Sequence, residues 1–406
     1  VFPVTTEPAP LVANDPRFSE SVDIFKLGVS KRCKPLREFP PNLVSIAEKH
    51  LKEKILVECK PRRSSIGPLT VSQAVDGFDI EGYESMEMST SEGYPWVKMR
   101  PTWAGDKSWL FERQQLDSGK FKLIAVEKRL RENLDLKLSL RKQGIVPATY
   151  FTACLKDARI LREKTSIPGK TRIFEMSPVE LTIVQRQYFL DFYVAYRKSW
   201  EMEHTIGINP EGEQWTKLAN ELTTFSPYIL TADYSGYGPS VSHTLLEKLI
   251  DMSIEWYKVH GSTEEDDLVR QCIKHEIVHG YHVARNLVFI PTSGLPSGNA
   301  ATVELNSGTN SFYIRIAYLG LAYKSCPHYA DLFWFEKFVY LRHNGDDLIV
   351  AVKPEIISWF NNLTLIAYFS DFGLKMTDAL KSGKVQPYCS IEEATYLKRG
   401  FLKHPT

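Results

Sequence analysis

Residues 338–352 constrain this chain more than any other stretch. Two short apolar runs, Phe338-Val339-Tyr340-Leu341 and Leu348-Ile349-Val350-Ala351-Val352, flank His343-Asn344-Gly345-Asp346-Asp347. β-branched and aromatic runs on either side of Asn-Gly read as strand, tight turn, strand, because positive φ is cheap at such a turn. Two adjacent carboxylates then sit at the tip of a hairpin. Like charges side by side cost energy unless a cation compensates them. Two readings follow: a Mg²⁺ or Mn²⁺ site built from carboxylate oxygens, or an ordinary polar hairpin tip.

A second carboxylate has a similar setting. The strand-like run Tyr228-Ile229-Leu230-Thr231-Ala232 ends in Asp233-Tyr234-Ser235-Gly236-Tyr237-Gly238. A carboxylate at the end of a core strand, before Gly-rich turn residues, is where catalytic groups often stand.

The rest of the chain reads as alternating helices, strands and loops. Residues 1–41 lack a sustained period and are expected to run extended. Leu43, Ile46, Ala47, Leu51 and Ile55 share one face of a helix over 42–59. Ser89-Thr90-Ser91-Glu92-Gly93-Tyr94-Pro95-Trp96 makes a rigid loop whose hydroxyls and Gly N–H can meet phosphate oxygens, or a plain surface turn. Residues 107–139 read as strands followed by a helix. Between 156 and 172, Lys156, Arg159, Arg162, Lys164, Lys170 and Arg172 outweigh Asp157 and Glu163, and interleaved apolar residues anchor them. That suits a fixed cationic wall better than a solvated helix face. Ser177-Pro178-Val179-Glu180 has the form of a capping box opening a helix to about residue 200.

Residues 242–257 are helical in pattern. Ser293-Gly294-Leu295-Pro296-Ser297-Gly298 leads into a helix expected to begin near Asn299, where Thr302 and Asn306 share a face. Pro354 and Gly373 bracket a further expected helix. A strand at 374–378, Lys381 in the loop beyond it, and a basic strand or turn at 394–401 with Lys398 and Arg399 close the chain.

Composition sets outer limits. The 406 residues, 43% hydrophobic and 24% charged, fit a globular protein of about two to three domains or subdomains. Fifty basic against 49 acidic residues leave a net charge of +1, so any nucleic-acid surface must be local. The six cysteines contain no C-x-x-C pair and suit a reducing compartment. No apolar run reaches the roughly 18 residues of a membrane span. Neither a basic n-region nor an h-region marks a signal peptide. The first residue is Val1, not Met, as expected of a proteolytic product.

His275-Glu276-Ile277-Val278-His279 matches H-E-x-x-H, with His282 as a conceivable third ligand. Gly280 follows at once and His282 comes too soon for the metzincin spacing, which argues against a zinc protease.

In order, the Thr-Ser-x-Gly-Tyr-Pro loop, the basic Lys-Asp element, the strand ending Asp-Tyr-x-Gly-Tyr, the Gly-Leu-Pro-Ser-Gly loop, the Gly-Asp-Asp hairpin, the Gly-Leu-x-Met-Thr strand and the Leu-Lys-Arg turn resemble the RNA-dependent RNA polymerases of picornavirus-like positive-strand RNA viruses, arthropod-infecting relatives included. The resemblance runs from about Val71 to Phe401. It implies an α+β right-hand fold, with fingers and an RRM-like antiparallel palm. The implied division is 1–180 fingers (fingertip segment, template loop and basic element), 181–258 palm, 259–293 fingers insertion, 294–401 palm, and 402–406 the start of a missing or truncated thumb.

The resemblance also implies roles. Asp233 and Asp346, with Asp347 in support and the Tyr234 backbone alongside, would hold two Mg²⁺ ions, Mn²⁺ being an alternative. Arg172 and Lys164 would contact the nucleotide, as would Arg159 despite an offset of one position. Ser297, Gly298, Thr302 and Asn306 would sense template and ribose. Thr90, Ser91 and Gly93 would guide the template, Lys381 would protonate pyrophosphate, and Lys398 and Arg399 would grip the primer. Gly238 stands where many relatives carry an Asp that reads the 2′-hydroxyl, and Asn344 stands where they carry Tyr, so a polar contact of Asn344 with the primer is expected. RNA template and primer, NTPs, a small genome-linked protein primer and other viral replication proteins are the implied partners, on membranes of the host cytoplasm. The alternatives are a reverse transcriptase, which the Ser-Gly-x-x-x-Thr-x-x-x-Asn pattern disfavours, the zinc protease, and a non-catalytic RNA-binding protein.

Overall fold

The computed structural model describes residues 5–31, 36–378 and 384–402. In chain order these form β1 (Thr6–Pro8), α1 (Ile24–Ser30), α2 (Pro41–Glu58), α3 (Val71–Asp76), β2 (Phe111–Gln115), β3 (Phe121–Val126), α4 (Lys128–Lys142), β4 (Tyr150–Leu155), β5 (Arg159–Leu161), α5 (Arg162–Thr165), β6 (Ile173–Met176) and α6 (Val179–Arg197). Then come α7 (Glu213–Phe225), β7 (Ile229–Tyr234), α8 (His243–Val259), α9 (Glu264–His279), β8 (Tyr281–Ala284), β9 (Leu287–Phe289), α10 (Thr302–Ser325), α11 (Leu332–Phe338), β10 (Val339–Asn344), β11 (Asp347–Val352), α12 (Asn362–Ser370), β12 (Met376–Asp378), β13 (Thr395–Tyr396) and β14 (Arg399–Gly400). None of the described helices is long and apolar enough to cross a membrane.

The chain divides into two units: Val1–Lys34, Ser65–Leu190 and His260–Ala300 in the first, Pro35–Ser64, Asp191–Val259 and Ala301–Thr406 in the second. Pro35–Ser64 was expected with the N-terminal unit. It clusters with the second because α2 packs on α8 and α10. Its apolar stripe, Leu43, Val44, Ala47, Leu51 and Ile55, is buried there.

In the first unit, strands run in the order β6-β4-β8-β9, with β4 and β8 parallel and the other pairs antiparallel. β2 and β3 form a hairpin, and β1 pairs with β5. The expected extended run over 1–41 therefore holds a strand and also a helix, α1, whose Ile24, Phe25 and Val29 are buried. The capping box at Ser177 does not form. Ser177 Oγ is buried without a hydrogen-bond partner among the described residues. Glu180 instead accepts from Trp96 Nε1 at 2.6 Å and Lys137 Nζ at 2.9 Å.

The second unit is built on an antiparallel sheet in the order β10-β11-β7-β12. Side chains alternate along a strand. Ile229 of β7 and Ile349 and Ala351 of β11 face one side, packing with Leu218 and Leu222 of α7 and with Tyr396. Tyr234 faces the other and reaches Asn310 of α10. α10 is buried over nearly its whole surface, so it shows no single apolar stripe. The helix expected from Pro354 starts later. Residues 354–360 make turns, and Asn361 caps α12 by accepting from the N–H groups of Leu363 and Thr364, with a reciprocal Thr364 bond completing a capping box.

Candidate active site

The β10–β11 register pairs Asn344 with Asp347, which leaves Gly345 and Asp346 as the two-residue turn. Gly345 has φ 63°, a conformation that costs a residue without Cβ little. The glycine is therefore the first turn residue, and Asn344 is the last residue of its strand. On the next strand, Leu348 pairs with Ala232, so Asp347 and Asp233 fall one step beyond that pair on neighbouring strands. Asp233 also pairs with Thr377 of β12. Three carboxylates thus gather at one end of the sheet.

The turn is held by α10. Gly345 N–H donates to Ser307 Oγ at 2.8 Å, and Asn310 Nδ2 donates to the Gly345 carbonyl at 3.0 Å. Asn310 Oδ1 accepts from the Tyr234 hydroxyl at 3.1 Å. Burial above all, joined by neighbouring Tyr313 and Asp346, keeps the Tyr234 and Tyr237 phenols well above their ordinary range, so both stay neutral donors. On the other flank His343 exchanges backbone bonds with the 203–205 segment: its N–H goes to the Glu203 carbonyl at 3.0 Å, and its carbonyl accepts from Thr205 N–H at 2.9 Å. Asn344 Nδ2 donates to the Thr205 carbonyl at 3.1 Å. The amide expected on the primer is thus committed to the protein's own backbone.

A group of carboxylate oxygens has the chemistry that hard divalent cations prefer. Among the described residues no three His, Cys, Asp or Glu side chains already converge as a preformed cage. Mutual repulsion opposes convergence of three carboxylates without a cation between them.

Thr302 opens α10 and Asn306 lies one turn on. The Asn306 carbonyl accepts from the Tyr237 hydroxyl at 2.9 Å. Asn306 Oδ1 is buried and has no hydrogen-bond partner among the described residues. A Cβ built on Gly238 meets nothing within 4 Å. Asn306, Tyr237 and Gly238 therefore border one region of the second unit. The basic turn between β13 and β14 puts Leu397 at φ 49° and Lys398 at φ 61°, left-handed conformations that cost a side-chain-bearing residue energy. Arg399 pairs with Glu211 at 3.6 Å on the surface. Lys381 lies outside the described residues.

The remaining expected residues belong to the first unit. Ser297 Oγ accepts from the Glu175 N–H at 3.1 Å. Gly298 lies so close to the Glu175 carbonyl that a Cβ would collide with it. A cleft of about 440 Å³ is lined by Cys154, Leu155, Lys156, Asp157, Phe174 and Ser297. Lys164 is half-buried in α5 and Arg172 is exposed. Arg159 differs from expectation: its guanidinium donates to Thr6 Oγ1 at 3.1 Å and to the Thr6 carbonyl, so it fastens β1. Thr90 is also occupied, donating to the Glu87 carbonyl at 3.2 Å and accepting from Lys107 Nζ at 2.6 Å. Ser91 Oγ accepts from Gly93 N–H at 3.2 Å. These two hydroxyls serve the loop's own shape.

His275 and His279 of the H-E-x-x-H stretch lie side by side, ring centroids 4.9 Å apart, but no third ligand joins them among the described residues. Glu276 is buried against Arg141, at 2.6 and 2.8 Å, and against Thr149. His282 pairs with Glu175 at 2.5 Å, and His275 is exposed. Ser307, Asn310 and Glu203 went unnoticed in the sequence. The run of small polar residues Asn306-Ser307-Gly308-Thr309-Asn310-Ser311, ahead of an apolar stretch on the same helix, is the signal that would have found the first two.

The family model for viral RNA-dependent RNA polymerases matches residues 1–406. The chain is 37% identical over 413 aligned residues to the genome polyprotein of Deformed wing virus, covering all of this chain and 14% of that polyprotein. It is 30% identical to the genome polyprotein of Rice tungro spherical virus (strain A), with 98% of this chain and 12% of that protein covered. The replicase polyprotein of Acute bee paralysis virus matches at 29% identity over 82% of this chain and 17% of its own length. The chain thus spans a small fraction of the curated relatives it matches. The Sicinivirus 3Dpol RNA-dependent RNA polymerase superposes with a TM-score of 0.76 at 22% identity, covering 100% of this chain and 76% of that one, so the right-hand polymerase fold is shared. These matches do not favour the reverse-transcriptase alternative, and the chain belongs to the viral RNA-dependent RNA polymerase family.

Proposed function

We propose that this chain copies RNA from an RNA template by nucleotidyl transfer, replicating a positive-strand viral genome, and that the second unit's sheet is its palm. The observation that carries this reading is the gathering of Asp233, Asp346 and Asp347 at one end of the sheet, with the turn fastened to α10. Divalent metal ions are general in the family. Asp233 and Asp346, supported by Asp347 and the Tyr234 carbonyl, would hold two Mg²⁺ ions, with Mn²⁺ as a substitute, which when bound would activate the primer 3′-hydroxyl and neutralise the triphosphate.

The chain's own residues do the rest. Arg172 and Lys164 neutralise and orient the triphosphate from the basic element. Asn306 Oδ1, without a hydrogen-bond partner among the described residues, is an acceptor suited to a ribose hydroxyl, and Thr302 and Ser297 share that role. Gly238 leaves open space there, so sugar selection rests on Asn306 more than on the turn after β7. Gly93 and Gly298, which the Ser177 and Glu175 carbonyls approach too closely for a Cβ, shape the loops along the template path, and Lys398 and Arg399 grip the primer. Lys381 is the proposed proton donor to pyrophosphate. A small genome-linked protein as primer, other replication proteins, and membrane-associated complexes in the host cytoplasm complete the reading.

Mg²⁺-dependent extension of a primed homopolymer RNA tests it. Incorporation is expected for the parent chain and absent for Asp346→Asn. Binding of RNA without synthesis by the parent would favour a non-catalytic RNA-binding protein.

A further inference from the structure

Glu203 and Arg315 lie behind the acidic turn and no step of the proposed chemistry uses them. Glu203 has φ 66°, left-handed backbone that a side-chain-bearing residue adopts at a cost. That conformation lets the residue do two things. Its carbonyl accepts from His343 N–H at 3.0 Å. Its carboxylate turns inward to Arg315 Nη1 and Nη2 at 2.9 and 2.7 Å, to Ser311 Oγ at 2.7 Å and to Lys54 Nζ at 2.9 Å. Arg315 is 0% exposed, and its Nη1 also donates to Ser311 Oγ at 2.6 Å.

We infer that Glu203 is a positioning residue for the Gly345-Asp346 turn, closing through Arg315 a ring of bonds that leaves α10 and returns to it. One arm of the ring runs from Ser307 and Asn310 to Gly345. The other runs from Ser311 and Arg315 through Glu203 to His343, and through Thr205 to Asn344. Ser307, Asn310, Ser311 and Arg315 stand three and four apart, so they form one buried polar stripe along the helix. A rigid helix thus grips the turn itself and the two residues that enter it. Thr205 Oγ1 meets the Tyr396 hydroxyl at 2.6 Å, which ties the ring to β13 as well. A buried ion pair is weak evidence for net stability and better attested as a source of geometric specificity. The geometry here gives that specificity an object: groups behind a metal-binding carboxylate set its orientation, and losing one typically costs about 10-fold or more in metal affinity or activity.

The inference rests on the polymerase reading, and its test separates the two. Glu203→Gln and the neutral pair Glu203→Gln/Arg315→Met are compared with the parent by three measurements. These are hydrogen exchange of peptides covering 339–352, Mn²⁺ affinity by calorimetry without nucleotide, and the Mg²⁺ concentration giving half-maximal primer extension. The expected result is faster exchange confined to the hairpin, with Mn²⁺ affinity weakened and the Mg²⁺ requirement raised by about 10-fold, while NTP KM changes little. A parent-like melting temperature in the neutral pair, with the same local loosening, is expected, because both buried charges are removed together and Lys54 keeps Glu336 at 3.1 Å. Unchanged exchange and metal affinity in a folded variant overturn the inference. So does failure of both variants to fold, since the pair would then serve the fold alone. A parent that binds no Mn²⁺ and extends no primer overturns the polymerase reading instead.

Discussion

Asn310 joins two strands that carry the acidic groups: its Nδ2 donates to the Gly345 carbonyl at 3.0 Å and its Oδ1 accepts from the Tyr234 hydroxyl at 3.1 Å. Asn310 is 0% exposed, so each bond is made out of reach of water. Replacing Asn310 with Leu strands the Gly345 carbonyl and the Tyr234 hydroxyl. The expected cost is about 1–3 kcal/mol of stability. Chemical denaturation would measure it, and primer extension should fall with it. A variant as stable and active as the parent would show that the amide does not hold the turn.

Asp346→Asn should abolish incorporation and leave the fold intact, because the amide keeps the shape of the turn and loses the charge. Circular dichroism and a primed homopolymer assay check both halves. Substantial synthesis by this variant would remove Asp346 from the metal ligands.

Sugar selection should depend on Asn306. Asn306→Ala is expected to narrow the preference for NTP over dNTP by about 10-fold or more, the scale on which losing a hydrogen bond made by a buried group acts. A Cβ at Gly238 meets nothing within 4 Å, so Gly238→Asp should fold normally and restore part of the preference in the Asn306→Ala background. Competitive single-nucleotide incorporation reads the ratio.

Stability should fall as acid is added, starting near pH 6.5. Burial pushes His204 down to about 4 and His343 down to about 3, from an ordinary value of 6.5. Between those values and 6.5 the unfolded chain binds more protons than the folded one, so unfolding becomes easier as pH drops through the window and is unaffected by these groups above it. Glu203 acts in the same direction lower down: burial opposes its charge, but Arg315 and Lys54 hold its carboxyl well below 4.5. Urea unfolding at several pH values gives the slope, and His343→Phe should flatten it.

Glu276→Ala should destabilise the first unit strongly, by about 3–5 kcal/mol, because Arg141 would be left buried and uncompensated. His275→Ala should leave stability and primer extension unchanged. Loss of bound Zn²⁺ in His275→Ala would revive the protease alternative.

Much of this was legible in the chain itself. Alternation and turn chemistry marked the hairpin, and the order of short motifs marked the family, because both are local and depend on a few neighbouring residues. The limits of local reading show at particular residues. The Pro354-to-Gly373 bracket suggested one helix, yet Asn361 is the better N-cap and takes that role. Ser177 had the spacing of a capping box, but Glu180 was claimed by Trp96 and Lys137, one of them 84 residues away in sequence.

The sequence by itself determined that two neighbouring carboxylates would sit at a hairpin tip and a third at the end of a core strand. Only the tertiary structure decided what holds them. Ser307 lies 38 residues before the glycine it grips, and Glu203 lies 112 residues before Arg315. It also decided that Asn344 bonds to Thr205, that Arg159 fastens β1 and that Thr90 bonds within its own loop and to Lys107. Periodicity reports which face of an element is buried. Which polar group meets which across such separations depends on how whole elements pack, and no local pattern encodes that.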